Sequence, residues 1–559
     1  MGGINMSDKL KLFLRDLNKN VIVEKGIQLY DIVKEFNINK ENPIILAKVN
    51  DDVYELTEKL KTEGNFEVIT NKSDLGRRSY IRTLQFVLVK AAYDVLEECE
   101  VDIQHSLSRG LYCEIHKDNI LTLQELKAIK NRMREIIDAN EPIYKEELSR
   151  EKAMEIFTSY NMIDKVMLLE SLSVSKVKLY KLQDRYDYFY GSMAYSTGVV
   201  KSFELVPYNS GFILRYPTLD SPNEIPKFVE HNKLAKIFNE TEAWGDILEV
   251  PHVGALNKII DDKHIKKLIL INEGLHEKKI AYIADMILQK KTAKLVLIAG
   301  PSSSGKTTFT KRLSVQLAVN GLRPVQISMD DFFVDRELTP KDEDGNYDFE
   351  SINALDIKLF NRTMKAILNG EEVKIPRFNF KTGKKEWRGD KVKLPKNGMI
   401  LIEGIHGLNE KLTSSISKDE KFKIYINCLT QLNIDNHNRI PTTDVRMVRR
   451  IVRDSLTRGY DAEDTLVRWP SVKRGEKKNI FVFEDESDIM FNSNLVYEIC
   501  VLKKYALAEL EKVEKNSPVY YEAWRLKSFL HFFREIDMEL VPENSLLREF
   551  IGGSCFYDY

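Results

Sequence analysis

The run from Leu295 to Thr308, Leu-Val-Leu-Ile-Ala-Gly-Pro-Ser-Ser-Ser-Gly-Lys-Thr-Thr, constrains this chain more than any other segment. Its apolar start predicts a strand buried on both faces, which belongs in a parallel sheet flanked by helices. The glycines then let the backbone turn so that successive N–H groups converge, and a helix is predicted over residues 307–320. Strand, G-x-x-x-x-G-K-[ST] turn and helix in that order form a phosphate-binding loop. Converging N–H groups and the helix dipole hold phosphate oxygens. Lys306 reaches the β- and γ-phosphates, and the Thr307 hydroxyl binds Mg²⁺. Gly300, Pro301, Ser302, Ser303, Ser304, Gly305, Lys306, Thr307 and Thr308 are therefore the expected nucleotide contacts.

Two more apolar runs end in carboxylates. Val325–Met329 leads into Asp330-Asp331-Phe332-Phe333, and Met399–Ile402 leads into Glu403-Gly404. In open α/β sheets, ligands bind at the carboxyl ends of strands. Asp330, at the end of a neighbouring strand, can accept the proton of an attacking hydroxyl, and Glu403 suits a Mg²⁺ or water ligand opposite Thr307. Farther on, Arg446, Arg449, Arg450 and Arg453 recur at i, i+3, i+4 and i+7, on one helix face, with Asp454 and Arg458 after them. The stripe has no interleaved acids, so an anion such as triphosphate is needed to offset its self-repulsion.

The remaining organisation is that of several domains. Residues 6–70 alternate in short runs, with strands expected at 9–14 and 43–49 and a helix near 30–36, a small α+β module. Helices are predicted at 78–99, with Leu84, Leu88, Ala91 and Val95 on one face, and at 124–140. Three prolines between Pro217 and Pro226 mark a linker. Helical residues lead to the α/β region, taken as 291–490, and 491–559 reads as helical. With 43% hydrophobic residues, 30% charged residues and a net charge of −1, the composition is that of a globular protein and argues against a whole-chain nucleic-acid or membrane binder, while local basic patches stay open. Five scattered cysteines offer no C-x-x-C zinc pattern and no disulfide framework. No signal-peptide core or long apolar run occurs, so a cytoplasmic location without membrane attachment is expected.

The segment from about 290 to 490 resembles the uridine kinase and phosphoribulokinase branch of P-loop kinases. The resemblance rests on Gly300–Thr308, Asp330–Phe333, Asn346-Tyr347-Asp348-Phe349, Ile375-Pro376-Arg377-Phe378-Asn379-Phe380, Ile402-Glu403-Gly404 and the arginine helix through Arg458-Gly459. It implies a parallel-sheet kinase that uses ATP and Mg²⁺ to phosphorylate the 5′-hydroxyl of a ribonucleoside. By position, Asp330 corresponds to the base and Asp348 to the ligand of the ribose hydroxyls. Tyr347, Phe378, Phe380 and Arg450 correspond to substrate contacts, and Arg453 and Arg458 to lid arginines. The chain departs from uridine kinases at the nucleobase: Phe378 and Gly383 stand for a tyrosine and a histidine, and Arg468 for a base-reading glutamine. Nucleoside phosphorylation is expected, with altered base selectivity. Pantothenate, a sugar phosphate or another small alcohol stays open as acceptor.

The front half resembles the N-terminal part of threonyl-tRNA synthetase. Residues 6–70 are similar to its β-grasp TGS domain. Residues 75–216 are similar to its α+β editing domain, through His105-Ser106-Leu107-Ser108-Arg109-Gly110-Leu111-Tyr112 and Tyr195-Ser196-Thr197-Gly198. The editing residues are missing: Arg82 and Phe86 replace the H-x-x-x-H pair, and Phe189 and Met193 replace a cysteine and a histidine. No ligand set for a metal remains, and His105 and His116 read as structural or surface residues. Residues 217–290 are then a linker and helical connector. The C-terminal run Glu543–Ser554 suggests docking onto the kinase region, without a chemical role. RNA or a regulatory ligand at the front half, an NTP-dependent translation-linked regulator, and a homo-oligomer all stay open.

Overall fold

The structure, a computed structural model, describes residues 9–342, 345, 347–430 and 432–557. Residues 6–8 of the expected β-grasp module and Asn346 of the ribose-type motif lie outside them. The chain divides into two compact units: Met1–His231 with Pro251–Lys258 and Gln431–Ile440, and Asn232–Val250 with Ile259–Thr430 and Pro441–Tyr559.

In the first unit, β1 (Lys9–Leu14), β2 (Lys19–Glu24), α1 (Leu29–Glu35), β3 (Ile44–Val49), β4 (Asp52–Glu55) and β5 (Gly64–Thr70) form a mixed sheet of order β2-β1-β5-β3-β4. Leu29, Ile32 and Val33 of α1 share one core with Leu12, Leu14, Val21 and Phe66, as period-2 strands under an amphipathic helix require. Next come α2 (Asp74–Val95), β6 (Glu100–Leu107), β7 (Gly110–His116) and α3 (Leu123–Asp138). Ser73 caps α2, and Thr122 with Glu125 makes a capping box on α3. The helix expected at 78–99 is α2, but it is not one-faced. Phe86, Val87 and Val89 are buried along with Leu84, Leu88 and Ala91, because α2 packs on α3 and on β3, β5 and β6.

The unit continues with β8 (Ile143–Ser149), α4 (Arg150–Ser159), α5 (Ile163–Ser171), β9 (Lys176–Leu182), β10 (Arg185–Asp187), β11 (Glu204–Tyr208) and β12 (Gly211–Arg215). They complete a four-stranded sheet, β11-β12-β7-β6, and a three-stranded one, β10-β9-β8. Phe86, Phe189 and Met193, read from the sequence as replacing editing groups, are packed into the core. The rings of Phe86 and Phe189 lie 5.2 Å apart, Phe189 stacks on His437 at 6.2 Å, and Met193 is buried. His437 arrives from far along the chain, on the hairpin of β21 (Asn433–Asp435) and β22 (Asn438–Arg439). Beside it, the buried Lys165 ammonium lies 3.1 Å from Asp187 and 2.8 Å from Asp435, and His437 Nδ1 is 2.8 Å from Asp187. His105 is buried against Tyr112, its pKa lowered to about 3 by burial and by Arg439, while His116 is exposed.

In the second unit, α6 (Asn232–Leu248) and α8 (Ile265–Gln289), with the end of α7 (Val253–Asp261), precede β13 (Leu295–Ala299) and α9 (Lys306–Val319). The strands β14 (Arg323–Ser328), β19 (Gly398–Glu403), β20 (Lys421–Asn427) and β23 (Ile489–Asn492) join β13 in an all-parallel sheet of order β14-β19-β13-β20-β23. All five residues of β13 are buried. Val296 and Ile298 meet Ile283 of α8 and Phe309 and Leu313 of α9, while Leu295 and Leu297 meet Phe360 and Met364 of α10 (Ile357–Leu368). The strand leading to Asp330 is therefore not β13's neighbour, as expected from chain order; β19 lies between them. Two short antiparallel pairs, β15 (Val373–Lys374) with β18 (Lys391–Val392) and β16 (Arg377–Asn379) with β17 (Lys384–Glu386), pack against this core through Val373, Val392 and Phe378.

The helices α11 (Thr442–Thr457), α12 (Ala462–Asn479), α13 (Glu498–Leu510), α14 (Tyr520–Leu530) and α15 (Arg548–Ile551) complete the unit. A boundary at 490 would cut β23. No helix among the described residues is long and apolar enough to cross a membrane.

Candidate active site

The loop between β13 and α9 has the shape that its glycines require. A Cβ on Gly300 would lie 2.0 Å from the Ile426 carbonyl oxygen on β20, so only glycine fits. Gly305 (φ +81°) and Ser303 (φ +59°) take left-handed backbone, turning N–H groups toward the cleft. Gly305 is also the N-cap of α9 and brings no capping side chain. The buried hydroxyls of Ser303 and Ser304 have no hydrogen-bond partner. Lys306 Nζ donates to the Pro301 carbonyl at 3.0 Å, and burial lowers its pKa against the pull of Glu403, Glu549 and Asp330. The Thr307 hydroxyl donates to the Glu403 carboxylate, 3.0 and 3.1 Å from its two oxygens. Orphaned hydroxyls, a lysine folded onto a carbonyl and a hydroxyl–carboxylate pair fit a triphosphate with Mg²⁺.

Besides Glu549, three carboxylates share the field of Lys306. Asp330 opens a short 3₁₀ turn, Met329–Phe332, at the end of β14, and its N–H donates to Ser328 Oγ at 3.3 Å. It is exposed, and the surrounding protein raises its pKa while Lys306 and Arg458 oppose the rise. Burial pushes Glu403 up to about 7, against Lys306. Glu350 is also pushed up to about 7, by burial and then by Glu476, with Arg450 and Lys306 opposing. The adjacent Asp331 does a different job. It accepts from Arg377 at 2.9 Å and from the Phe378 N–H at 3.3 Å, which ties β16 to the turn.

The arginine helix, α11, splits into two sets. Arg446 and Arg449 are fully buried and hold the loop from behind. Arg446 donates to the Ser302 carbonyl at 2.9 Å and pairs with Glu476; Arg449 donates to the Ser303 carbonyl at 3.3 Å and pairs with Glu498. The stripe thus has compensating acids, and the expectation that it needs an external anion is corrected. They come from α12 and α13, which sequence spacing does not bring near. Arg450, Arg453 and Arg458 gather on Asp454, at 3.1, 2.7 and 3.6 Å, and Arg450 also donates to Ser302 Oγ at 3.0 Å.

Aromatic rings line the approach beyond Asp330. Phe333 lies 5.5 Å from Phe378, 6.4 Å from Phe349 and 6.4 Å from Phe380, and Tyr347 lies 6.1 Å from Phe349. Phe380 is 60% exposed, a large apolar surface left facing solvent. Asp348 accepts the Glu350 N–H at 3.1 Å, so the ribose-type motif and the third carboxylate are one turn. A side chain at Gly383 (φ +69°) would lie 2.8 Å from Arg336 Nε, and Arg336 donates to the Phe380 carbonyl. Arg336 thereby fills the space that a side chain at Gly383 would take. Arg468 is not brought into the cleft: it is exposed on α12 and stacks on Tyr460 at 4.2 Å.

Sequence reasoning missed Glu350, Glu476, Glu498 and Glu549. Glu350 follows the ribose-type motif directly, and that adjacency was the available signal. The other three act across the fold and carry no local pattern.

Residues 295–498 match the model of the Phosphoribulokinase / Uridine kinase family. This segment is similar to the P-loop kinases of that family, and its five-stranded parallel sheet with a phosphate loop after β13 agrees with that likeness. The N-terminal half is similar to threonine–tRNA ligases. That of Clostridium tetani is 28% identical over 198 residues, 35% of this chain and 31% of the relative. That of Syntrophotalea carbinolica is 31% identical over 163 residues, 29% of this chain and 26% of the relative. The chain thus spans under a third of these relatives' length. Among solved structures, a possible uridine kinase from Bacillus stearothermophilus aligns at 20% identity and TM-score 0.27, covering 38% of this chain and 98% of that one. D-glycerate 3-kinase from Cryptococcus neoformans aligns at 14% identity and TM-score 0.21, covering 49% and 88%.

Proposed function

We propose that this protein moves the terminal phosphate of Mg-ATP to the 5′-hydroxyl of a ribonucleoside, with Asp330 taking the hydroxyl proton. The electrostatic setting of Asp330 carries the reading. It is an accessible carboxylate whose pKa is raised by its surroundings, within the field of Lys306 and Arg458. Lys306 and Arg458 favour its ionised form, the form that accepts a proton. Gly300 to Thr308 would hold the phosphates, and Thr307 with Glu403 the Mg²⁺. Bound there, the nucleotide supplies the phosphoryl group and the metal the charge that neutralises its oxygens. Arg453 and Arg458, parked on Asp454, are in reach to turn toward the transferring group and exclude water.

The acceptor reading rests on the aromatic cluster and Asp348. Flat rings at Phe349, Phe378 and Phe380 favour the face of a base over pantothenate or a sugar phosphate, and a carboxylate accepts both hydroxyls of a vicinal diol. The packed-over positions Phe86, Phe189 and Met193 support reading the front half as a module without hydrolytic chemistry. An Asp330→Asn variant should still bind Mg-ATP but phosphorylate a nucleoside at least about 10²-fold more slowly. Wild-type turnover in that variant would remove Asp330 from the role of base.

A further inference from the structure

The C-terminal run singled out in the sequence packs onto the phosphate loop. Ser545, Leu546, Leu547, Phe550 and Ile551 are buried, and Arg548 ties the segment to itself through the Met538 and Val541 carbonyls. Leu546 lies against Gly305, at 3.4 Å from where a Cβ would stand, and the Arg449 guanidinium sits 5.0 Å over the Phe550 ring. Glu549 makes the decisive contact. One of its carboxylate oxygens accepts from both the N–H and the hydroxyl of Thr308, each at 3.0 Å. The Tyr557 hydroxyl lies 3.0 Å from the same Thr308 hydroxyl. Between Glu549 and Tyr557, Gly552 (φ +83°) and Gly553 (φ +67°) take left-handed backbone that turns the chain.

Thr308 is the third residue of α9, and its N–H is one of the helix's unpaired donors. Such donors, at the positive end of the helix dipole, are what a phosphate oxygen uses in a loop of this kind. A carboxylate and a phosphate cannot both hold that N–H, and Glu549 adds negative charge to a site already containing Glu403 and Asp330. We propose that Glu549 is an intramolecular competitor of the donor nucleotide: residues 545–557 form a strap that holds an anion position of the loop and must release it when the triphosphate binds. This rests on the loop being the donor site.

The test compares Mg-ATP affinity of the full chain, wild type against Glu549→Ala and Glu549→Gln, by calorimetry. Losing two competing hydrogen bonds should tighten binding by roughly tenfold in Glu549→Ala. Glu549→Gln should fall in between, because the amide oxygen still accepts but carries no charge. Hydrogen exchange in wild type should quicken over residues 545–557 when Mg-ATP is added. A purely structural residue would leave affinity unchanged or weaken it. If both variants bind no tighter than a nucleotide-binding wild type, or if the strap becomes more protected with nucleotide, the proposal fails while the donor site stands. If neither wild type nor variants bind nucleotide, the donor-site reading fails and the strap with it. Should Glu549→Ala not fold, the glutamine variant and the exchange measurement decide.

Discussion

Replacing Glu403 by glutamine should make the nucleotide-free protein more stable at high pH while weakening its hold on Mg-ATP. Burial raises the Glu403 pKa from 4.5 to about 7. The folded protein therefore keeps a proton that the unfolded chain has already lost. Stability falls as the pH climbs from 4.5 to about 7 and levels off above, when both states are ionised. A displacement of that size corresponds to about 3 kcal/mol of stability lost across the window. Glutamine does not ionise, so the wild type should lose that amount relative to Glu403→Gln between about pH 5 and pH 8. Glu350 is also pushed up to about 7, but it is present in both proteins and largely cancels in the difference. Trp244, Trp387, Trp469 and Trp524 all lie in the second unit, so urea unfolding followed by tryptophan fluorescence reports on the right part of the molecule. Parallel stability curves for the two proteins would refute the argument that burial raises the Glu403 pKa. The same variant loses the carboxylate opposite Thr307, and its affinity for Mg-ATP should fall even though the fold is firmer. Equal affinity would remove Glu403 from the metal site.

Other substitutions separate the loop's support from the acceptor's seat. Arg449→Met leaves Glu498 buried without its partner and should destabilise the second unit by about 3–5 kcal/mol, read by the same fluorescence assay; a loss below about 1 kcal/mol would contradict the buried pairing. Phe380→Ala removes an exposed ring from the aromatic cluster and should raise the KM for a nucleoside several-fold at unchanged KM for ATP. An equal rise in both would mean that Phe380 supports the fold rather than the acceptor.

The parts of this site that act locally were legible in the sequence. The apolar run of β13, the glycines and Lys306–Thr307 are contiguous, and strand–turn–helix chemistry follows from neighbours in the chain. Asp330 and Glu403 could be read as strand ends for the same reason. What was hidden depends on which elements the fold brings together. The acids that neutralise Arg446 and Arg449 come from α12 and α13, so the stripe looked uncompensated. Chain order put β14 beside β13, whereas the sheet inserts β19. The hairpin carrying Asp435 and His437 belongs with Lys165 and Asp187, a pairing that only the fold reveals. Glu549 has no helical or strand spacing that links it to Thr308. Gly383 could be noted as a missing histidine, but only the fold brings Arg336 into the space beside it.

The central claim is phosphate transfer to a ribonucleoside, and product analysis tests it most directly. The full chain, incubated with Mg-ATP and a panel of ribonucleosides, their 5′-deoxy analogues, pantothenate and a sugar phosphate, is followed by mass spectrometry. The account predicts a monophosphate from at least one ribonucleoside and none from its 5′-deoxy analogue. Nucleotide binding with no ribonucleoside phosphorylated, or phosphate appearing on pantothenate or the sugar phosphate instead, would contradict it.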